Sequence, residues 1–228
     1  MEFAGFTPAL LQFLEELAEN NNRPWFQENR GRYEREVLEP SLAFIRAFRP
    51  RLRRISEFFA ASDRRVGGSL LRVYRDTRFS RNSEPYKTNV GIYFRHEVGP
   101  DIHAPGFYLH IEPEECFLAV GVWRPDSRSL RKIRQAIVDH AGPWRRARDD
   151  RRFRQHFELE GESLKRAPRD FPANHPLVED LKRTDFLGLC NLEEKAVLED
   201  GFLDRVATAF GASRPFMRFL CHALHLPF

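Results

Sequence analysis

The stretch from Arg72 to Lys87 gathers the side chains of this chain best suited to hold an anion. Arg72, Arg75 and Arg78 stand three residues apart, and Asp76 lies among them. A guanidinium is a planar fork of donors that matches a carboxylate or a phosphate. Asp76 is placed to orient those planes, Lys87 adds a mobile ammonium, and Tyr86 adds a phenol. The chemistry this predicts is binding of, or catalysis on, a phosphorylated or carboxylated small molecule. Structural ion-pair networks use the same residue types, so a loop pinned by internal salt bridges, with no ligand, is one competing outcome. A nucleic-acid-binding module is another. Tyr74, Phe79, Tyr86, Tyr93 and Phe94 interleave with the cations, as in surfaces that stack bases and hold phosphates.

A second pair bears on proton transfer. His110 and Glu112 are two residues apart, so on a strand they share a face. With Asp76 and Tyr86 they complete the candidate catalytic set. The alternative for His110 is a histidine satisfied by a neighbour. His-x-Glu is too short a motif to call a metal site, and none is expected. The chain has no Walker A sequence, no G-x-G-x-x-G, no H-E-x-x-H and no G-x-S-x-G, so no cofactor is assigned.

The elements that must position these residues follow from hydrophobic period. Leu10, Leu11, Phe13, Leu14 and Leu17 recur at helical spacing behind Thr7-Pro8, a helix start. Pro24 opens a second helix, and a third spans about 41–59. After Gly67-Gly68 the period changes to two. Leu71 and Val73 alternate with Arg72 and Tyr74, Val90, Ile92 and Phe94 with Gly91, Tyr93 and Arg95, and Phe107, Leu109 and Ile111 with Tyr108, His110 and Glu112. The apolar run 116–123 reads as a more buried strand. If the polar faces coincide, Arg72, Tyr93, His110 and Glu112 open on one cleft, roofed by helices or by the proline-rich loop 161–176. Asp126 caps a helix, the charged run 145–154 reads as a solvated helix, and 186–189 as a short extended piece. Two helices close the chain, over about 200–210 and 214–224. Helices, strands, then helices predict an α+β fold, an antiparallel sheet of about four or more strands within one domain, 1–228.

Composition narrows the class. The 228 residues are 42% hydrophobic with 21 Phe, enough for a core. Net charge is only +4, which weighs against a dedicated nucleic-acid binder. Of the 37 basic residues 32 are arginine, a skew attributed to base composition. Cys116, Cys190 and Cys221 lie far apart and form no C-x-x-C, as suits a reducing compartment. No apolar run is long enough to span a membrane, so the expectation is a cytoplasmic protein with no membrane partner.

Residues 72–86 resemble the signature of the DUF2461 family of uncharacterised bacterial proteins, R-x-x-R-D-x-R-F-x-x-D/N-K-x-x-Y. Arg72, Arg75, Asp76, Arg78, Phe79, Asn82 and Tyr86 match it. Ser83 stands where the pattern has lysine, leaving Arg81 and Lys87 as the neighbouring cations. Similarity extends through 5–7, 20–26, 85–89, 108–113, 121–125 and 164–176. The resemblance implies that the Arg-Asp-Arg cluster is a common feature of that family. It implies no reaction.

Overall fold

The computed structural model describes residues 3, 5–76, 84–98 and 104–228. The first helix, α1 (Pro8–Glu19), starts with proline in its first turn and buries Leu10, Leu11, Phe13, Leu14 and Leu17, the stripe its sequence predicts. In α2 (Arg23–Glu28) the Asn22 side chain caps the N-terminus by accepting from the Trp25 N–H. A short turn, α3 (Arg30–Arg32), passes through a π-helical stretch (Tyr33–Leu38) into α4 (Glu39–Ile55), which runs through Pro50. The third helix thus stops at Ile55, short of the expected 59, because Phe59 is drawn into the sheet.

Six strands form one antiparallel sheet: β1 (Phe59–Ala60), β2 (Val90–His96), β3 (Gly106–Glu112), β4 (Glu115–Val122), β5 (Glu158–Glu160) and β6 (Phe186–Leu192), in the order β1-β2-β3-β4-β6-β5. The α+β reading holds, with two adjustments. The stretch 71–74 is no regular strand. Isolated bridges stand in its place, because the register of Leu70 with Ile92 would set Tyr74 opposite Thr88 and Tyr74 bridges Tyr86 instead. The piece at 186–189 extends to Leu192 and lies between β4 and β5.

The remaining helices are α5 (Ser127–Asp139), α6 (Ala141–Arg148), α7 (Arg151–His156), α8 (Val178–Lys182), α9 (Glu194–Val197), α10 (Phe202–Ala212) and α11 (Arg214–Ala223). Asp126 caps α5, as expected, by accepting from the Ser129 N–H. The charged run 145–154 is not a freely solvated helix. It divides between α6 and α7, and Trp144, Ala147 and Phe153 are buried. Among the described residues no helix is long and apolar enough to cross a membrane.

One face of the sheet carries the core. Phe48 of α4 stacks on Phe94 at 5.1 Å, Phe210 of α10 meets Phe107 at 5.0 Å, and Trp144 of α6 meets Phe186 at 5.9 Å. Each fully buried aromatic of this kind stabilises by about 1.5–3 kcal/mol. The pairing of β4 with β6 is tight at Gly121, whose φ is +124° and where a Cβ would sit 1.9 Å from the Phe186 carbonyl oxygen. Gly121→Ala should therefore cost about 2 kcal/mol or more in urea unfolding. Gly211→Ala, in the last turn of α10 where a Cβ meets nothing within 4 Å, should instead add about 0.5 kcal/mol. Equal effects would show that β4 and β6 are not registered this way.

Candidate functional site

Alternation along β3 decides where the site can be. Phe107, Leu109 and Ile111 are fully buried beneath the helices, so Tyr108, His110 and Glu112 must point to the opposite face. Register brings Gly91 and Tyr93 of β2, Phe117 and Ala119 of β4, and Leu187 and Leu189 of β6 onto that same face. A cavity of about 500 Å³ opens over it, walled by Tyr93, Tyr108, Phe117 and Trp123, with Lys87 and His110 also in its lining. Two glycines make room for the walls. The Tyr93 ring lies where a Cβ on Gly106 would be 2.2 Å away, and the Tyr108 hydroxyl lies 2.8 Å from a Cβ on Gly91.

A line of hydrogen bonds runs along this face. The Thr88 hydroxyl donates to Oε1 of Glu112. Oε2 of Glu112 lies 3.1 Å from Nε2 of His110, and Nδ1 of His110 lies 2.9 Å from the Tyr108 hydroxyl. The carboxylate accepts only, so Nε2 carries the proton it donates, and Nδ1 accepts from Tyr108. The Asn89 amide nitrogen approaches the same Nδ1 at 3.4 Å, which fits an acceptor there. The imidazole is stacked on Phe117, 4.6 Å between centroids and 9° from parallel, so its ring plane is fixed. Burial, followed by the charges of Glu112 and Glu115, pushes the Tyr108 phenol up to about 12. Tyr108 is therefore protonated at neutral pH, and its hydroxyl hydrogen is the one that Nδ1 of His110 accepts. Glu115 is the register partner of Glu112, and the ligand atoms of His110, Glu112 and Glu115 lie within 4.8 Å of one another. That set has the chemistry for a divalent cation, although Nε2 of His110 is already bonded to Glu112.

Lys87 is the unusual charge. It is half-buried against the cleft and makes no side-chain hydrogen bond or ion pair among the described residues. Burial, then the charges of Arg72 and Arg75, hold its ammonium below the usual lysine range. Arg75 faces Glu84 at 3.5 Å, with its Nε buried and unpartnered among the described residues. Arg72 is exposed and lies 4.0 Å from Asp76.

The structure thus brings Lys87, His110 and Glu112 together, with Tyr93 and Tyr108, and keeps Arg72 and Arg75 close enough for their charges to bear on Lys87. Other expected members are elsewhere. Leu71, not Arg72, lines the cleft, because the bridge of Leu70 to Ile92 turns Leu70 to the core side. Asp76 is exposed beside Arg72. Tyr86 is 2% exposed and stacks on Phe26 at 4.0 Å, while Asn21 bonds both its backbone N–H and its carbonyl. Arg78 lies outside the described residues. The 161–176 loop does not roof the cleft; Phe171 and Asp170 lie against α5, with Arg131 3.6 Å from Asp170. Phe117, Trp123, Leu187 and Leu189 were not in the expected site. For Phe117 the only signal is its place opposite His110, which requires the register.

A family model described as a conserved hypothetical protein (DUF2461) matches residues 9–219. No curated protein and no solved structure matches the chain.

The raised Tyr108 phenol has a consequence for stability. A phenol titrating near 12 when folded and near 10 when unfolded binds more protons in the native state between those values. Its contribution is full below about pH 10 and is lost as pH rises toward 12. At pH 8 Tyr108→Phe should be less stable by about 1 kcal/mol, the worth of the bond to His110. That deficit should shrink or reverse by pH 12, and urea unfolding of both proteins across pH 8–12 measures it. A constant deficit would mean that Tyr108 titrates normally.

Proposed function

The chain belongs to the DUF2461 family, and we propose that the cleft over its open sheet face binds a small organic molecule carrying a carboxylate or phosphate group. The observation that carries this reading is Lys87, a half-buried cation without a counter-charge among the described residues, in a cavity whose other walls are mostly aromatic and aliphatic. Removing one partner of a buried ion pair is costly because the remaining charge is left uncompensated. An anionic ligand group supplies what Lys87 lacks, and Arg72 and Arg75 add to its attraction. Tyr93, Tyr108, Phe117 and Trp123 give the rest of the ligand an apolar surface. A volume of about 500 Å³ suits a small molecule and not a polymer strand.

The same cleft has the parts for proton transfer. Tyr108 is a protonated donor, His110 orients it, and Glu112 fixes the imidazole. This reading treats the chain as one domain, since a single sheet and one continuous core carry every element of the site. Three free cysteines fit a reducing, cytoplasmic setting.

Calorimetric titration at low salt tests the reading with phenyl phosphate and inorganic phosphate. Phenyl phosphate should bind about tenfold or more tightly, because its ring is buried against the aromatic walls. Lys87→Met and Arg75→Ala should each weaken it by about tenfold with little change in melting temperature. Absence of saturable binding in the millimolar range would overturn the proposal. So would a single-stranded oligonucleotide that binds more tightly, with a log–log salt slope near −3 from about four phosphate contacts.

A further inference from the structure

Resting on that reading, we propose that Lys87 is an amine nucleophile that captures the ketone or aldehyde of an anionic carbonyl compound as an imine, with Tyr108 as the proton donor. Two features of the cleft lead to it. The first is the choice of lysine at an uncompensated position. Arginine holds an anion with a fixed fork and never gives up its proton; lysine can become a neutral amine. The charges of Arg72 and Arg75 already bear on Lys87, so positive charge remains for an anion when Lys87 gives up its proton. Lysines that are desolvated, or placed next to another cation, are the ones that act as nucleophiles. By contrast, Lys182 and Lys195 are paired with Glu179 at 2.7 Å and Glu193 at 2.6 Å.

The second feature is the donor that shares the cavity. Imine formation needs a group that can give a proton to the carbonyl oxygen and take one from nitrogen. Tyr108 lines the same cleft as Lys87, and its hydroxyl supplies that proton by turning from Nδ1 of His110 to the carbonyl oxygen. His110 and Glu112 are positioning residues that hold the phenol through the bonds described above. The charges of Arg72 and Arg75 keep the surroundings of Lys87 positive, and so attractive to the ligand's carboxylate or phosphate, when Lys87 itself is neutral.

The step balances without an oxidant or reductant. The lone pair of neutral Nζ forms a bond to the carbonyl carbon as the π pair moves to oxygen. That oxygen takes the Tyr108 proton, and the phenolate takes a proton from nitrogen, giving a carbinolamine. The nitrogen lone pair then forms the C=N bond while the C–O bond breaks. The oxygen leaves as water with the Tyr108 proton, and the phenolate recovers a proton from the iminium nitrogen. One amine and one carbonyl become one imine and one water.

Phenylpyruvate is the probe, because it joins a ketone, a carboxylate and a ring that matches the aromatic walls. Phenyllactate is its counterpart without the carbonyl. The intact protein is incubated with phenylpyruvate and cyanoborohydride at pH 7, and the adduct at each of Lys87, Lys132, Lys165, Lys182 and Lys195 is followed by peptide mass spectrometry. The reduced adduct should form at Lys87 several-fold faster than at the exposed Lys165, and excess phenyllactate should suppress it. Tyr108→Phe should slow trapping at Lys87 by about 10²-fold, far more than it weakens phenyllactate binding measured by calorimetry. Lys87→Arg should abolish the fast adduct and retain phenyllactate binding. If phenyllactate binds but Lys87 is trapped no faster than Lys165, the nucleophile is wrong and the anion site stands. If phenyllactate neither binds nor protects and no lysine is favoured, both readings fail.

Discussion

Everything at the site depends on the register of β3. Phe107, Leu109 and Ile111 are each completely buried beneath the helices, and the strand period is two. Those three residues therefore fix Tyr108, His110 and Glu112 on the face the helices leave uncovered. A slip of one residue would send an imidazole and a carboxylate into the aromatic layer built by Phe48, Phe94 and Phe210. It would also bring Phe107, Leu109 and Ile111 to the open face. The core thus specifies the site without touching it, and the site adds no strain of its own to β3.

The open face is shaped by what its residues lack. Gly91, Gly106 and Gly121 lie on that face in adjacent strands, and the first two let aromatic rings lie against the backbone. The Tyr93 ring crosses Gly106, and the Tyr108 hydroxyl hangs over Gly91. Side chains at those positions would move the walls, so the cavity exists because small residues alternate with large ones across neighbouring strands. The rings in turn screen the polar groups. His110 lies flat against Phe117, and partial burial makes its bonds to Glu112 and Tyr108 worth more than they would be in water.

The sequence made the α+β class and the polar row of β3 readable, because clean alternation over seven residues has one structural meaning. It did not make the cleft readable, for three physical reasons. Phe117 and Leu189 look like core residues; only their cross-strand partners, His110, Ala119 and Asn191, show which face they occupy. Alternation does not predict the phase of Leu71 and Arg72, because that stretch is held by single bridges and not by a continuous ladder. Tyr86 stands beside Lys87 in the chain, yet consecutive residues of an extended segment point opposite ways, so one is buried on Phe26 and the other reaches the cleft. Residue type suggested chemistry for both, and only packing separates them.

That separation bears on how the cationic segment is used. Arg75 is balanced in part by Glu84, and Arg72 is solvated beside Asp76. Exposed pairs of this kind contribute little to stability, with a typical worth of about 0–1 kcal/mol. They do not explain why three positive charges converge on one sheet edge. Lys87 has burial working against its charge, two like charges nearby, and no carboxylate among the described residues to offset either. A purely structural network would place an acid there, as it does for Arg148, bonded to Asp149 at 2.7 Å and to Asp180 at 2.5 Å elsewhere in the fold. Arg134 is buried without an acid among the described residues, and the Arg183 carbonyl accepts from it. The Lys87 side chain has neither among the described residues, and it lines a cavity large enough for a ligand to provide a partner.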